Sequence, residues 1–424
     1  MAVEHLGAEY FQDPYSVHAR LRAQRPVSPV IMPGGTPAWL VTGYAEARAA
    51  LTDPRLRKNM PGWHPPPDSI FAALDVHMLN SDPPDHERLR RLVNKAFTAR
   101  RVERLRPRIT AITTGLLDDM SSRKQVDLLA SFAFPLPITV ICELLGVPVA
   151  DQDDFRTWSA TIVSDTAIPG VFQAHATAMI RYFMALLAVK RQESADDLLS
   201  ALISARDNED RLSENELVSM AFLLLVAGHE TTVNLIGNGV LALLLNPAEL
   251  ARLRAEPSLV GGAVEELLRH VNPVNNATFR FAAEPVEIGG VRVSRGDPVL
   301  VALSSANRIR LASVTRTGWT WAGTARGTWR SATASTTAWA RRWPGWRQRS
   351  PSLTCWRGSA RCGWRCPPSR CAGGPGRSST AWSRCRCGSL PEPPGGAWPR
   401  SFLPVNHPSW AMARPRLAGK PRSR

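Results

Sequence analysis

The sequence predicts a mainly α fold with a minor β-sheet, and three observations carry that prediction. Residues Glu214–Leu245 place apolar side chains on nearly every helical face, with no proline before Pro247, the pattern of a helix buried all round. Shorter helical periodicities fill most of the chain before it. After it, across residues 278–303, the hydrophobic period drops to two, which marks short strands.

Composition divides the 424 residues at a single point. Residues 1–308 hold 31 Lys and Arg against 35 Asp and Glu, whereas residues 309–424 hold 21 against one, Glu392. Six of the seven cysteines and eleven of the 14 tryptophans also lie beyond residue 308. The net charge of +16 and the pI near 10.5 therefore belong to the second segment. Their ordinary implication, a nucleic-acid partner, does not extend to the first. One cysteine, Cys142, in 308 residues fits a reducing cytoplasm. Met1–Arg20 has no signal-peptide pattern, and no uninterrupted apolar run reaches the ~18–20 residues of a membrane span.

In chain order, Pro37–Thr42 reads as a strand and Tyr44–Leu51 as a helix after the turn at Gly43. Met60–Asn80, rich in proline and aromatic residues, is a loop long enough to bind a ligand or merely to connect. Asp82-Pro83-Pro84-Asp85 opens a helix that runs to Phe97, with Leu89, Leu92, Val93 and Phe97 as its buried stripe. His86 and Arg90, four apart, share another face. Two such donors suit an anionic ligand such as a carboxylate pair, or simply face solvent. Helical patterns recur at Val102–Met120, Pro135–Leu145, Gln152–Thr161 and Val171–Arg191, and a short one opens at Ala195.

The long helix begins at a capping box, Ser213 with Glu216, and ends at Asn246-Pro247. Its centre, Ala227-Gly228-His229-Glu230-Thr231-Thr232, is polar and costly to bury without partners. Gly228 lets a neighbour approach the backbone. Glu230 and Thr231 set a carboxylate beside a hydroxyl, the ingredients of a proton relay; the alternative is that the threonines bond back to the preceding turn. Leu259–His270 forms the next helix, with Glu266 and Arg269 spaced as an ordinary surface pair. Strands follow at 278–281, 286–288, 291–293 and 299–303, with hairpin turns at Gly289-Gly290 and Arg295-Gly296-Asp297.

Each motif alone is weak, but their order and spacing are specific. Asp-Pro-Pro-Asp-His-x-x-x-Arg at 82–90, Ala-Gly-x-Glu-Thr-Thr at 227–232, Glu-x-x-Arg at 266–269 and the stretch from Glu284 to Arg308 resemble the cytochrome P-450 family. The resemblance is to the soluble bacterial haem-thiolate monooxygenases, particularly actinobacterial ones. The resemblance covers residues 10–308 and implies one mostly helical domain with haem b against the long helix. It implies that His86, Arg90 and Arg280 hold the haem propionates and that Glu266 and Arg269 form a structural pair behind the haem. It also implies that Glu230 and Thr231 steer protons to dioxygen, with Ala227 and Gly228 making room for it.

Such an enzyme needs a cysteine thiolate on its iron, in a loop reading Phe-x-x-Gly-x-x-x-Cys-x-Gly about thirty residues beyond Arg308. No such loop is present. Cys355, Cys362, Cys366, Cys371, Cys385 and Cys387 do not match it, and their spacings do not suggest zinc either. The genetic code offers a reason. Codons built from each third base of Gly327–Ala340 plus the next two bases can spell His-Leu-Ala-Phe-Gly-His-Gly-Val-His-Tyr-Cys-Leu-Gly. The cysteine codon then straddles Thr337 and Ala338. Restoring one G before the Ile309 codon likewise turns Ile-Arg-Leu-Ala into Asp-Pro-Ala-Arg, the family's continuation. The expectation is a one-base deletion at Arg308/Ile309, in the gene or in its sequencing, with residues 309–424 an out-of-frame tail that has no packed core.

The function implied is oxygen insertion from O2 into an apolar small molecule, such as a polyketide or macrolide intermediate, with NAD(P)H electrons relayed by a ferredoxin and its reductase. The missing thiolate loop implies that the chain as written is inactive and does not bind haem normally. Two other readings stand beside this one. One is a haem-free scaffold; the other is a nucleic-acid-binding Arg/Trp-rich tail, against which the absence of any arginine repeat or one-sided pattern counts.

Overall fold

The computed structural model describes residues 3–308 apart from 8–9, 11–12, 33–34, 63–73, 163–168 and 208–209. The N-terminal part gives β1 (Glu4–His5), α1 (Pro14–Gln24), β2 (Val27–Ile31), β3 (Pro37–Val41), α2 (Tyr44–Thr52) and β4 (Leu56–Arg57). A helical body follows: α3 (Asp85–Ala96), α4 (Ala99–Ser121), α5 (Pro135–Leu145), α6 (Gln152–Ile162), α7 (Pro169–Gln192) and α8 (Leu198–Ser204). A small ladder, β5 (Arg206–Asp207) with β6 (Asp210–Arg211), precedes α9 (Glu214–Leu244), α10 (Pro247–Ala255) and α11 (Val260–His270). The described chain closes with β7 (Arg280–Ala282), β8 (Val286–Ile288), β9 (Val291–Val293), β10 (Pro298–Val301) and α12 (Leu303–Ala306).

The long helix α9 spans 31 residues, roughly 46 Å at 1.5 Å per residue. Its start is the capping box expected: the Ser213 hydroxyl accepts from the Glu216 N–H, and the Glu216 carboxylate accepts from the Ser213 N–H. Glu216 also takes an ion pair from Arg88, which ties α3 to α9. Burial opposes ionisation of Glu216, but Arg88 and the Ser213 N–H outweigh it and hold the carboxyl below its ordinary range. The first half of α9 packs into the helical core, where Met220, Ala221 and Leu225 share one cluster with Ile138 and Cys142 of α5 and Phe183 of α7. Each of the large ones, Met220, Leu225, Ile138 and Phe183, contributes about 1.5–3 kcal/mol on burial.

Burial all round holds only for that first half. From Val226 onward most of α9 is half-exposed, Gly228 is exposed, and Leu244 and Leu245 reach 41% and 58% exposure. α9 is also long and apolar enough on average to span a bilayer, though its centre is polar. Its contacts with α5 and α7 make it a core helix.

The sheet joins strands far apart in sequence, in the order β1-β2-β3-β10-β7-β4. β10 runs parallel to β3 with Leu300 opposite Leu40, and antiparallel to β7 with Val299 opposite Arg280. β4 pairs antiparallel with β7, Leu56 facing Ala282 and Arg57 facing Phe281. Phe279 and Phe281 turn into one core with Tyr10 and Leu40, so strand alternation sends Arg280 to the other face. Gly289-Gly290 is a true hairpin turn, both residues at positive φ between paired β8 and β9. The turn at Arg295–Asp297 is not, because β9 and β10 lie in different sheets. Leu303 opens α12 instead of ending a strand. Helices α1 and α10 and strands β1 and β2 carry too little periodicity to stand out in the sequence.

α12 is pinned from several sides. Ser304, Ser305, Ala306 and Asn307 are essentially fully buried, and Ser305 donates to the Thr42 carbonyl at 2.8 Å. Arg308 donates to the His270 carbonyl at 2.7 Å and lies over the Tyr15 ring. The sequence boundary thus falls immediately after a segment locked into the fold. Residues 309–424, including the six tail cysteines and Thr337/Ala338, lie outside the described residues, as does the 63–73 part of the Met60–Asn80 loop.

Candidate functional site

Asp82 ties the start of α3 to the segment after β4 and lies in the field of Lys58 and Arg280. The backbone N–H of His86 donates to the Asp82 carbonyl at 3.0 Å, starting α3. The Asp82 carboxylate accepts from the N–H groups of Lys58 at 2.8 Å and Asn59 at 3.0 Å, just past β4. Arg280 of β7 donates to the Leu51 carbonyl at 3.4 Å, closing the same region from α2. His86 and Arg90 are half-buried while Asp85 and Glu87 beside them are exposed, so this face of α3 is not the solvated one. The His86 Nδ1 hydrogen-bonds the Met78 carbonyl at 2.6 Å, which leaves Nε2 as the nitrogen that can address a ligand.

The electrostatics fit an anion. Burial pushes the Arg90 guanidinium down from its ordinary range. Burial pushes Arg280 down too, with Asp82 opposing. Lys58 lies well below its ordinary value, through burial first and then repulsion by Arg280, again against Asp82. Sequence reasoning missed Lys58: a two-residue strand such as β4 leaves no periodic signal, and only its pairing with β7 brings the lysine to Arg280.

At the centre of α9 the costly polar residues are partnered. His229 is buried, with Nδ1 on the Leu225 carbonyl and Nε2 on the Ser159 hydroxyl of α6, both at 2.8 Å. Its ring meets Phe134 edge-on at 5.7 Å, and burial lowers its pKa to about 4. Thr231 donates to the Ala227 carbonyl at 3.1 Å and Thr232 to the Gly228 carbonyl at 3.4 Å. Back-bonding therefore occupies the Thr231 proton and leaves its oxygen able to accept. Ala227, Glu230 and Thr231 are half-buried. A Cβ on Gly228 would stand 2.9 Å from Ile141 Cδ1, so the neighbour crowding this glycine is helix α5.

Glu266 and Arg269 are not a surface pair. They are 2% and 4% exposed, joined by Nε–Oε2 and Nη2–Oε1 contacts of 2.8 and 2.5 Å. Arg269 Nη1 also donates to the Asn307 carbonyl at 3.2 Å, binding α11 to the end of α12.

The family model of cytochrome P450 matches residues 168–309. The chain is 51% identical over 316 residues to cytochrome P450 107B1 of Saccharopolyspora erythraea, covering 70% of this chain and 76% of that one. It is 46% identical over 309 residues to 6-deoxyerythronolide B hydroxylase of the same organism, covering 70% and 76%. The tirandamycin C-bound P450 monooxygenase TamI superposes with a TM-score of 0.70 at 47% identity, over 77% of this chain and 84% of that one. The chain belongs to the cytochrome P450 family. It is of the monooxygenase type, and the family carries haem.

Two parts of this cytochrome P450 answer differently to that cofactor. His86, Arg90 and Arg280 are half-buried, and their side chains have the chemistry to take carboxylates. The axial ligand does not appear among the described residues. Their one cysteine, Cys142, is buried in α5 against α9, and burial pushes its thiol up to about 12, the opposite of what a thiolate ligand requires.

Proposed function

We propose that this chain descends from a haem-dependent monooxygenase that oxygenates a sizeable apolar molecule of polyketide or macrolide type. The observation that carries it is the half-buried Arg280 in the field of Asp82, a carboxylate whose oxygens already serve two backbone N–H groups, with His86 and Arg90 half-buried on one face of α3. Residues 1–308 form the cytochrome P450 domain. His86, Arg90 and Arg280 hold the two porphyrin carboxylates, and the Glu266–Arg269 pair keeps α11 and α12 rigid behind them. Haem held there would supply the chemistry of oxygen transfer from dioxygen to the substrate. The chain's own part is to pass protons: Glu230 carries the ionisable oxygen, and Thr231, its proton engaged by Ala227, offers Oγ1 as acceptor. Electrons reach the site from NAD(P)H through a ferredoxin and its reductase, in the cytoplasm. The apolar substrate class is suggested by the relatives, which include a 6-deoxyerythronolide B hydroxylase.

Residues 309–424 are the product of a shifted reading frame. The family match ends at residue 309, where the composition also changes. A second reading, a haem-free scaffold, applies to the 424-residue chain as it stands, because Cys142 is unsuited to iron. A carbon-monoxide difference spectrum separates the two. The unaltered chain should give no thiolate-type band, and the chain with one base restored before the Ile309 codon should give one. A thiolate-type band from the unaltered chain overturns the frame-shift reading.

A further inference from the structure

We infer that Lys58 is a fourth cation of the carboxylate cradle, placed to hold one porphyrin carboxylate together with Arg280; this rests on the haem reading above. The register of β4 on β7 pairs Leu56 with Ala282 and Arg57 with Phe281. Lys58 follows in the bend just after Arg57, and its ammonium donates to the Thr278 hydroxyl, a neutral group two residues before Arg280. Lys58 and Arg280 repel one another, and partial burial removes the water that would screen them. Asp82 is the acid that both cations feel, and its oxygens accept the N–H groups of Lys58 and Asn59.

One half-committed carboxylate therefore faces an ammonium and a guanidinium. A ligand carboxylate between them satisfies both. It turns two repelling neighbours into a two-pronged clamp of charge-assisted hydrogen bonds. A lysine serving only as a strut for Thr278 would have no preference for an anionic ligand.

The two roles separate in porphyrin binding by the full 424-residue chain, followed by the fluorescence of zinc protoporphyrin IX and of its dimethyl ester. The unsubstituted chain should bind the diacid at least tenfold more tightly than the diester. Lys58→Met should lose most of that ratio by weakening the diacid alone, and Lys58→Arg should keep it. A Lys58→Met chain with an unchanged ratio overturns the assignment. So does one that loses both porphyrins equally, which would mark Lys58 as a structural strut. Equal affinity of the unsubstituted chain for diacid and diester would instead overturn the carboxylate-cradle reading itself, and Lys58 with it.

Discussion

Removing Arg269 should be among the most damaging single changes in the chain. Arg269→Ala leaves the Glu266 carboxylate, 2% exposed, with its two guanidinium contacts gone, and it also frees the Asn307 carbonyl. Breaking a buried pair from one side costs about 3–5 kcal/mol, against a total stability of order 5–15 kcal/mol. Even the lower figure lowers the folded-to-unfolded ratio by about a hundredfold. Urea unfolding of the full chain, followed by far-ultraviolet circular dichroism, reads the loss as a shift of the midpoint. Glu266→Leu with Arg269→Met tests the cause, since replacing both charges by apolar groups should recover most of the loss. A loss below about 1 kcal/mol for Arg269→Ala, or a double variant no better than the single one, would refute the argument that loss of the buried guanidinium dominates.

Acid should weaken the fold through its buried imidazoles. His18, His77, His229 and His270 are lowered by burial to about 3, 4, 4 and 4, below the ordinary value near 6.5. The unfolded chain then binds protons first as pH falls, so stability is fully present above about pH 6.5 and declines toward pH 4. His229→Gln should flatten the slope of urea midpoint against pH over that window, and an unchanged slope would show that His229 is already charged in the fold. In the frame-restored chain, Thr231→Ala should divert reducing equivalents to peroxide while haem content stays normal; unchanged coupling would remove Thr231 from the proton path. Arg90 and Arg280 should each supply about 1.5–3 kcal/mol to a carboxylate, so the double alanine variant of that restored chain should hold far less haem than either single one. Full haem content in the double variant would assign both arginines other partners.

What the sequence by itself determined about this protein is whatever depends on neighbours a few residues apart. The length of α9 and its Ser213–Glu216 cap, the helix beginning at Asp85 and the Gly289-Gly290 hairpin are all local. So is the change at residue 308, which is a property of composition. The order of the motifs was enough for the family, because each motif sits on one element. Only the tertiary structure decided which of those residues meet. An i,i+3 acid and arginine read the same whether exposed or buried, and it took α11 packing on α12 to enclose Glu266 and Arg269. The hexapeptide at 227–232 gave no hint that Ser159, seventy residues earlier, completes His229. Lys58 was invisible for the same reason: its neighbour Arg280 is 222 positions away along the chain. Charge pairing across a sheet is set by strand order and register, which no local period encodes.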